Sequence, residues 1–165
     1  MKNSLALLTQ NEIDQITQAV QNAEGVTSGE IVVCVIPKSD TYFMPPLQRL
    51  FAKQKMLHRV WQRAYQAFVD EEVFETKART GILIFISLLE RQVVVLGDSG
   101  INQKVTLKTW DDIVQKIING IKSGQPAAGI ISAVTQCGLL LKEHGFAKTG
   151  DDTNKRPDVI RLLKE

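Results

Sequence analysis

Two short apolar runs in the middle of the chain determine its predicted architecture. They are Ile82–Ile86 and Val93–Leu96, and the link Leu88-Leu89-Glu90-Arg91 lies between them. Each run has the length of a strand and is too short to cross a bilayer as a helix. The short link predicts a β-hairpin. Because neither run alternates cleanly between apolar and polar residues, we expect both faces of the sheet to be covered.

One helix and one strand are predicted near the start of the chain. Thr9 and Glu12 form a capping box, in which each side chain satisfies an unpaired backbone amide at a helix start. Apolar residues then recur at helical spacing as far as Gly25, a residue typical of helix ends. Glu30–Pro37 follows as a β-rich run that the proline closes.

The segment between this strand and the hairpin predicts a long amphipathic helix. Pro45-Pro46 opens it, and a break near His58 would divide it into two helices. Its predicted apolar stripe consists of Leu47, Leu50, Phe51, Gln54, Leu57, Trp61, Ala64 or Tyr65, and Phe68. Its polar positions include several bases and no acid, whereas acids cluster directly after it, between Asp70 and Glu75. The small net charge therefore conceals a basic helix followed by an acidic turn.

Two more helices complete the predicted order α-β-α-β-β-α-α. Thr109 is predicted to cap the first of them, and the second runs from about Ala127 to Glu143. This order predicts a three-layer α/β/α sandwich around a small mixed β-sheet, with a right-handed crossover between the first two strands. We expect one domain over residues 1–145. We expect a polar, mobile tail over residues 146–165, in which Val159–Leu163 docks as a short strand or a helical turn.

Composition and charge exclude several classes of protein. A net charge of +2 over 165 residues does not indicate a nucleic-acid partner. Cys34 and Cys137 are too few for a disulfide framework and lack metal-ligand spacing, so we interpret both as core residues. The apolar run near the start of the chain stops at Thr9, and no run approaches the ~18 residues of a membrane span. We expect a soluble, cytoplasmic monomer.

Two aspartates near the predicted edge of the sheet are the candidate ligands. Asp98 lies between two glycines after the third strand, and Asp40 follows the first strand. Open α/β sheets bind ligands outside the carboxyl ends of their strands, and both aspartates lie at that edge if their strands run parallel. Carboxylates suit hard divalent cations, and a bound ion can orient a phosphate. The alternative is that Asp98 only shapes a turn.

The sequence supplies no convincing nucleophile or general base. His58 and His144 are interpreted as surface residues. Gly97 and Gly100 do not belong to a phosphate-binding loop, because the glycine-rich fingerprint and the Lys-Ser/Thr signature are absent. No serine lies in a Gly-x-Ser-x-Gly elbow. These features favour weak or absent catalysis.

Several segments, in this order, resemble the TPM domain family. They are Ser28–Val33, Arg79–Ser87, Glu90–Ile101, Trp110 at a helix start, and Gly124–Gly129 with the Ala/Gly-rich helix that follows. The resemblance covers about residues 9–145. It implies an α/β/α sandwich. It also implies a group in which some members are reported as acid phosphatases, some bind Ca²⁺ or related ions, and many have no established activity.

The chain departs from this family pattern in two respects. Many relatives carry a signal peptide or a membrane segment, and we expect neither here. Many relatives also place acids next to the glycine before the second strand, where this chain has Thr76-Lys77-Ala78-Arg79-Thr80-Gly81. A missing anionic ligand weakens Ca²⁺ binding. Asp98 does match the Gly-Asp-x-Gly segment of the family, and the resemblance assigns it the central role.

Two functional hypotheses follow. In the first, the chain is a phosphatase-like or divalent-cation-binding TPM domain with weak catalysis. Asp98 is the catalytic residue, and Asp40 and Asp98 hold Ca²⁺ or Mg²⁺. The bound ion polarises a phosphomonoester for attack by water. In the second, it is a non-catalytic adaptor that docks on a membrane-associated protein through its basic helix, with Arg59 and Arg63 on the contact surface.

Overall fold

A computed structural model describes residues 7–40, 52–148 and 160–162 of the chain. Within these ranges the elements are α1 (Gln10–Glu24), β1 (Ile31–Ile36), α2 (Lys53–Asp70), β2 (Ile82–Ser87), β3 (Gln92–Gly97), α3 (Ser99–Asn102), α4 (Leu107–Lys122), α5 (Pro126–Glu143) and β4 (Arg161–Leu162). The predicted order is confirmed, with a short α3 and a short β4 in addition. No helix in these ranges is both long and apolar enough to span a bilayer.

The four strands form one mixed sheet in the order β3-β2-β1-β4. β1 runs parallel to β2 and to β4, and β2 runs antiparallel to β3. The hairpin is confirmed, with Ile82 opposite Gly97 and Ser87 opposite Gln92. Because β1 and β2 are parallel, the chain must cross from one end of the sheet to the other between them, and α2 lies in that connection.

Helices cover both faces of the sheet, so the three-layer sandwich is confirmed. On one face, α1, α4 and α5 pack on alternate strand residues such as Val33, Ile84 and Val95. On the other face, α2 packs on the intervening residues, among them Cys34 and Phe85. Every residue of β1 and β2 is buried, which agrees with the unbroken apolar runs in their sequences.

The buried face of α2 agrees only in part with the predicted stripe: Ala64 is buried and Phe68 packs against the core, but the other large residues of the stripe in the described ranges are not buried. Val60, Ala64 and Ala67 face the sheet and are fully buried, whereas Leu57 and Trp61 are 42% and 38% exposed. Small side chains let the helix axis approach the sheet closely, and the larger apolar residues are then left outside. α2 also continues through His58 without a break. The predicted start at Pro45-Pro46, and with it Leu47, Leu50 and Phe51, lies outside the described residues.

Two other elements correct or complete the prediction from sequence. The residue that caps α4 is Thr106, whose hydroxyl accepts a hydrogen bond from the Thr109 amide at 3.3 Å; Thr109 itself lies in the first turn. Near the other end of the chain, Arg161–Leu162 forms the strand β4 beside Cys34 and Val35 of β1, so this segment docks as a strand. Residues 149–159 and 163–165 of the predicted tail lie outside the described residues.

Candidate functional site

Asp98 lies where β3 ends and α3 begins, and its side chain is 5% exposed. Its Oδ1 accepts a hydrogen bond from the Ser99 amide at 2.6 Å, which makes it the N-cap of α3. The Nε of Arg79 lies 2.9 Å from its Oδ2. Asp98 therefore caps a helix and forms an ion pair with the preceding loop, and both roles are structural.

Two glycines allow close packing of the loop that carries Arg79: Gly81 lets the two ends of this loop meet, and Gly100 lets the loop approach that of Asp98. A Cβ on Gly81 would lie 1.8 Å from the carbonyl oxygen of Val73, and one on Gly100 would lie 2.0 Å from that of Ala78. Backbone hydrogen bonds join the two loops, because the Asp98 amide donates to the Gly81 carbonyl and the Gly100 amide donates to the Arg79 carbonyl, each at 2.8 Å. The backbone thus fixes where Asp98 lies.

The negative charge of Asp98 is paired with the positive charge of Arg79, in the same chain. In the part of the chain that the structure describes, Oδ2 accepts no hydrogen bond, so the guanidinium of Arg79 makes an ion-pair contact rather than an aligned hydrogen bond. Arg79 also has a φ of 56°, in the left-handed region that a non-glycine residue seldom adopts. The positive charge of Arg79 thus lies beside the Asp98 carboxylate.

Asp40 is not near Asp98. Because β3 runs antiparallel to β2, Asp98 lies at the edge where β1 and β2 begin, whereas Asp40 follows the end of β1. The two edges are separated by the six residues of a strand, about 20 Å. The condition of parallel strands is thus not met, and one ion cannot bind both carboxylates. Asp40 instead pairs with Arg59, whose Nε lies 3.1 Å from its Oδ2. No group of three or more metal-ligating residues occurs in the described ranges.

A buried polar cluster at the carboxyl edge of β1 and β2 was not predicted. Glu90, in the hairpin turn, accepts hydrogen bonds from the Ser39 amide at 2.9 Å and from the Ser87 hydroxyl. The hydroxyls of Ser39 and Ser87 are 2.8 Å apart. These bonds fasten the hairpin turn to the loop after β1. Glu90, the only acid between Gly81 and Gly97, was the signal in the sequence, but its partner Ser39 comes from the loop after β1.

The two cysteines are core residues. Burial raises the pKa of the Cys34 thiol to about 12, with a smaller contribution from Glu71, and burial raises that of Cys137 to about 12. Both thiols are therefore neutral near pH 7, and neither is the thiolate that nucleophilic attack requires. The prediction that both side chains pack in the interior is confirmed.

The outer face of α2 is the most apolar exposed helix surface among the described residues. Leu57, Trp61, Tyr65 and Val69 follow at intervals of four residues and are 42%, 38%, 58% and 59% exposed. Residues at this spacing lie on one side of a helix. We call these four residues the α2 stripe.

The two arginines predicted to contact a partner differ in exposure. The side chain of Arg59 is 55% exposed, and it pairs with Asp40. That of Arg63 is 27% exposed, and its Nη1 lies 3.8 Å from the Oδ2 of Asp70. Arg59 therefore lies on the exposed surface of α2, whereas most of the Arg63 side chain is covered by the rest of the protein.

Comparisons with known proteins agree with this fold. The model of the TPM domain family matches residues 2–139. The NMR structure of the BA42 protein from the psychrophilic bacterium Bizionia argentinensis is similar, with a TM-score of 0.77 and 27% sequence identity, over 100% of each chain. None of the curated proteins matches this chain.

Proposed function

The chain belongs to the TPM domain family, and we propose that it is a non-catalytic member that docks on a protein partner through the α2 stripe. The observation that carries this proposal is the exposure of four large apolar side chains along one line of a helix. The stripe spans thirteen residues, from Leu57 to Val69, or about 18 Å of helix. Monomeric proteins rarely leave such a line of aromatic and aliphatic residues exposed unless it binds something.

The chemistry of the partner follows from the residues around the stripe. Lys53 and His58 are exposed four and three residues from Leu57 and Trp61, next to the stripe; Lys55 and Arg59 are exposed elsewhere on the helix, and α2 has no acid before Asp70. Trp, Tyr and Arg are the side chains that contribute most to protein interfaces. A helix with anchors at this spacing typically binds in an apolar groove. We therefore infer that the partner has an apolar groove with an acidic rim. In the adaptor hypothesis this partner is a membrane-associated protein.

The contacts of the aspartates support a non-catalytic role. Asp98 caps α3 and pairs with Arg79, and Asp40 pairs with Arg59 at the opposite edge of the sheet. Both thiols have a raised pKa, and no group of three or more metal-ligating residues occurs in the described ranges. A hydrolase would need an activated nucleophile, or an ion held by several carboxylates.

Photo-crosslinking tests the docking proposal. With benzoylphenylalanine in place of Tyr65, we expect a discrete covalent adduct in cells that produce the protein. Trp61→Ala should remove that adduct, because a buried aromatic anchor contributes about 2 kcal/mol or more to an interface. The partner identified from the adduct should then bind the purified Trp61→Ala variant at least tenfold more weakly than the unmodified chain.

Leu139, which is 53% exposed on α5, provides the matched control. The same photo-reactive residue there should give no adduct with this partner, and Leu139→Ala should leave the affinity unchanged. An adduct that persists in Trp61→Ala would contradict the proposal. Binding of α2 to phosphatidylglycerol vesicles without any protein adduct would contradict it in favour of a membrane surface.

A divalent cation at Asp98 is a second candidate function. The observation that favours it is the buried Oδ2, which accepts no hydrogen bond from the described residues and pairs with Arg79, whose side chain is 54% exposed. If Arg79 swings into solvent, this oxygen becomes a ligand for Ca²⁺ or Mg²⁺. A single carboxylate gives weak binding, because such ions prefer six or more oxygen ligands.

An NMR titration of Arg79→Gln tests the cation candidate. Because Ca²⁺ carries two charges, removing one positive charge about 4 Å from the ion lowers the repulsion by about 2 kcal/mol in a water-like dielectric, so Ca²⁺ should bind this variant about thirtyfold more tightly than the unmodified chain. The shifts should centre on the amides of residues 97–100. Asp98→Asn should abolish them, and shifts scattered over the surface would contradict the assignment. Phosphomonoester hydrolysis that Asp98→Asn abolishes would contradict the non-catalytic proposal instead.

A further inference from the structure

A pocket of about 590 Å³ opens between the hairpin and the last turns of α4. Its apolar wall includes Ile86 and Val93 from the hairpin and Ile118 and Ile121 from α4. These residues belong to the face of the sheet that carries α1, α4 and α5, so the pocket and the α2 stripe lie on opposite sides. The volume is typical of pockets that enclose a small organic molecule.

The pocket lies where ligands bind in related architectures. Ile86 and Ser87 are the last two residues of β2, which runs parallel to β1, so the pocket opens at the carboxyl edge of the parallel pair. Ligands of open α/β sheets bind outside this edge. The polar cluster of Ser39, Ser87 and Glu90 fixes the hairpin turn beside it. The pocket is therefore held by a rigid element on the sheet side.

The exposed side chains that line the pocket are both cationic. They are Arg91, in the hairpin turn, and Lys122, in the last turn of α4, while the apolar lining is buried or half-buried. Neither cation has an ion-pair partner in the part of the chain that the structure describes. The backbone of Arg91 has a φ of 53°, so the turn holds this residue in a left-handed conformation at the pocket mouth.

We propose that this pocket binds an amphiphilic monocarboxylate, with its alkyl chain against the apolar wall and its carboxylate at Arg91 and Lys122. This inference goes beyond the docking role of α2. An apolar molecule without charge would leave two cations unpaired, and a metal ion would be repelled by them. A polyanion such as a nucleotide would place polar groups against four aliphatic side chains. The planar guanidinium of Arg91 matches the two oxygens of a carboxylate.

Isothermal titration calorimetry of the full chain with hexanoate, octanoate and decanoate tests whether the apolar wall binds the alkyl chain. Each added methylene contributes about 0.8 kcal/mol when buried, so the Kd should fall about fourfold per methylene until the pocket is filled. Saturable binding with this chain-length dependence supports the proposal. Absence of saturable decanoate binding, or an affinity independent of chain length, would overturn it.

A charge variant tests the mouth of the pocket. In Arg91→Gln/Lys122→Gln, the decanoate Kd should rise at least tenfold while the Kd of decanol stays constant. Decanol thus reports that the pocket is still folded. Lys142→Gln is the matched control, because Lys142 is also an exposed lysine in the last turn of a helix and does not line the pocket. Equal loss of decanoate binding in Lys142→Gln would overturn the assignment of the mouth.

Two further measurements locate and identify the ligand. Decanoate should shift the amides of Val93 and Ile118, and shifts confined to α2 would overturn the proposal. Ile118→Trp should fill the pocket and remove binding of both decanoate and decanol. Decyl phosphate that binds more tightly than decanoate at equal chain length would overturn the assignment of a carboxylate in favour of a phosphate head group.

Discussion

Gly81→Ala is expected to destabilise the domain by about 3 kcal/mol, at the upper end of the range for overpacked sites, and to lower its Tm by about 6–12 °C. The added Cβ would lie 1.8 Å from the carbonyl oxygen of Val73, and a backbone atom cannot move aside as a side chain can. The variant must therefore separate the turn directly after α2, which contains Val73, from the start of β2. Denaturant unfolding followed by circular dichroism measures the change.

The structural change in Gly81→Ala should extend to Asp98, because the Asp98 amide donates a hydrogen bond to the Gly81 carbonyl. Gly124→Ala is the control: a Cβ there meets no atom within 4 Å, and its φ of 74° leaves only the strain of a left-handed alanine, about 1 kcal/mol. Equal losses in the two variants would contradict the close contact between Gly81 and Val73. The amide signals of residues 97–100 should move in Gly81→Ala and stay in place in Gly124→Ala.

The fold could be predicted because its main elements are local patterns. The apolar runs of β2 and β3 and the link between them specify a hairpin within one stretch of sequence. The capping box of α1 is likewise contained in four residues, and it is present with the Glu12 side chain on the Thr9 amide. β4 could not be predicted as a strand with certainty, since its two residues acquire their conformation from β1, far away in the sequence.

The candidate site was harder to predict because it depends on strand direction. The hairpin reverses the direction of the chain, so β3 ends at the edge of the sheet where β1 and β2 begin. Asp98 therefore lies at the edge opposite to the one where β1 ends and Asp40 follows. Residue type alone identified Asp98 as notable but did not reveal that Arg79 occupies the space beside its carboxylate. The Ser39–Ser87–Glu90 cluster joins three segments and has no local pattern.

The face of α2 illustrates a third kind of difficulty. Its sequence contains two apolar lines, one of large residues and one with Val60, Ala64 and Ala67, and helical periodicity does not choose between them. The sheet surface decides: Phe85 and its neighbours already fill much of the space beneath the helix, so the smaller line is buried. The larger line then becomes an external surface, so that Leu57, Trp61 and Tyr65 of the predicted core stripe, together with Val69, form the docking candidate.

Phe85→Ala tests this account of the α2 face, with an expected loss of about 3–5 kcal/mol in the free energy of unfolding. The ring is fully buried at the centre of the sheet, between Cys34 of β1 and Val94 of β3. Its removal leaves a cavity under α2 that Val60 and Ala64 are too small to fill. Urea unfolding measures the loss, and the amides of α2 should exchange faster with solvent.

Tyr65→Ala removes a ring of similar size from α2, on the side of this helix that does not face Phe85. Because Tyr65 is 58% exposed, this variant should change stability by at most about 0.5 kcal/mol, yet it should weaken binding of the partner identified by crosslinking. The two variants separate the two faces of α2, since one loses stability and the other loses only an interface. A large loss of stability in Tyr65→Ala would mean that the α2 stripe is part of the core, and the docking proposal would then fail.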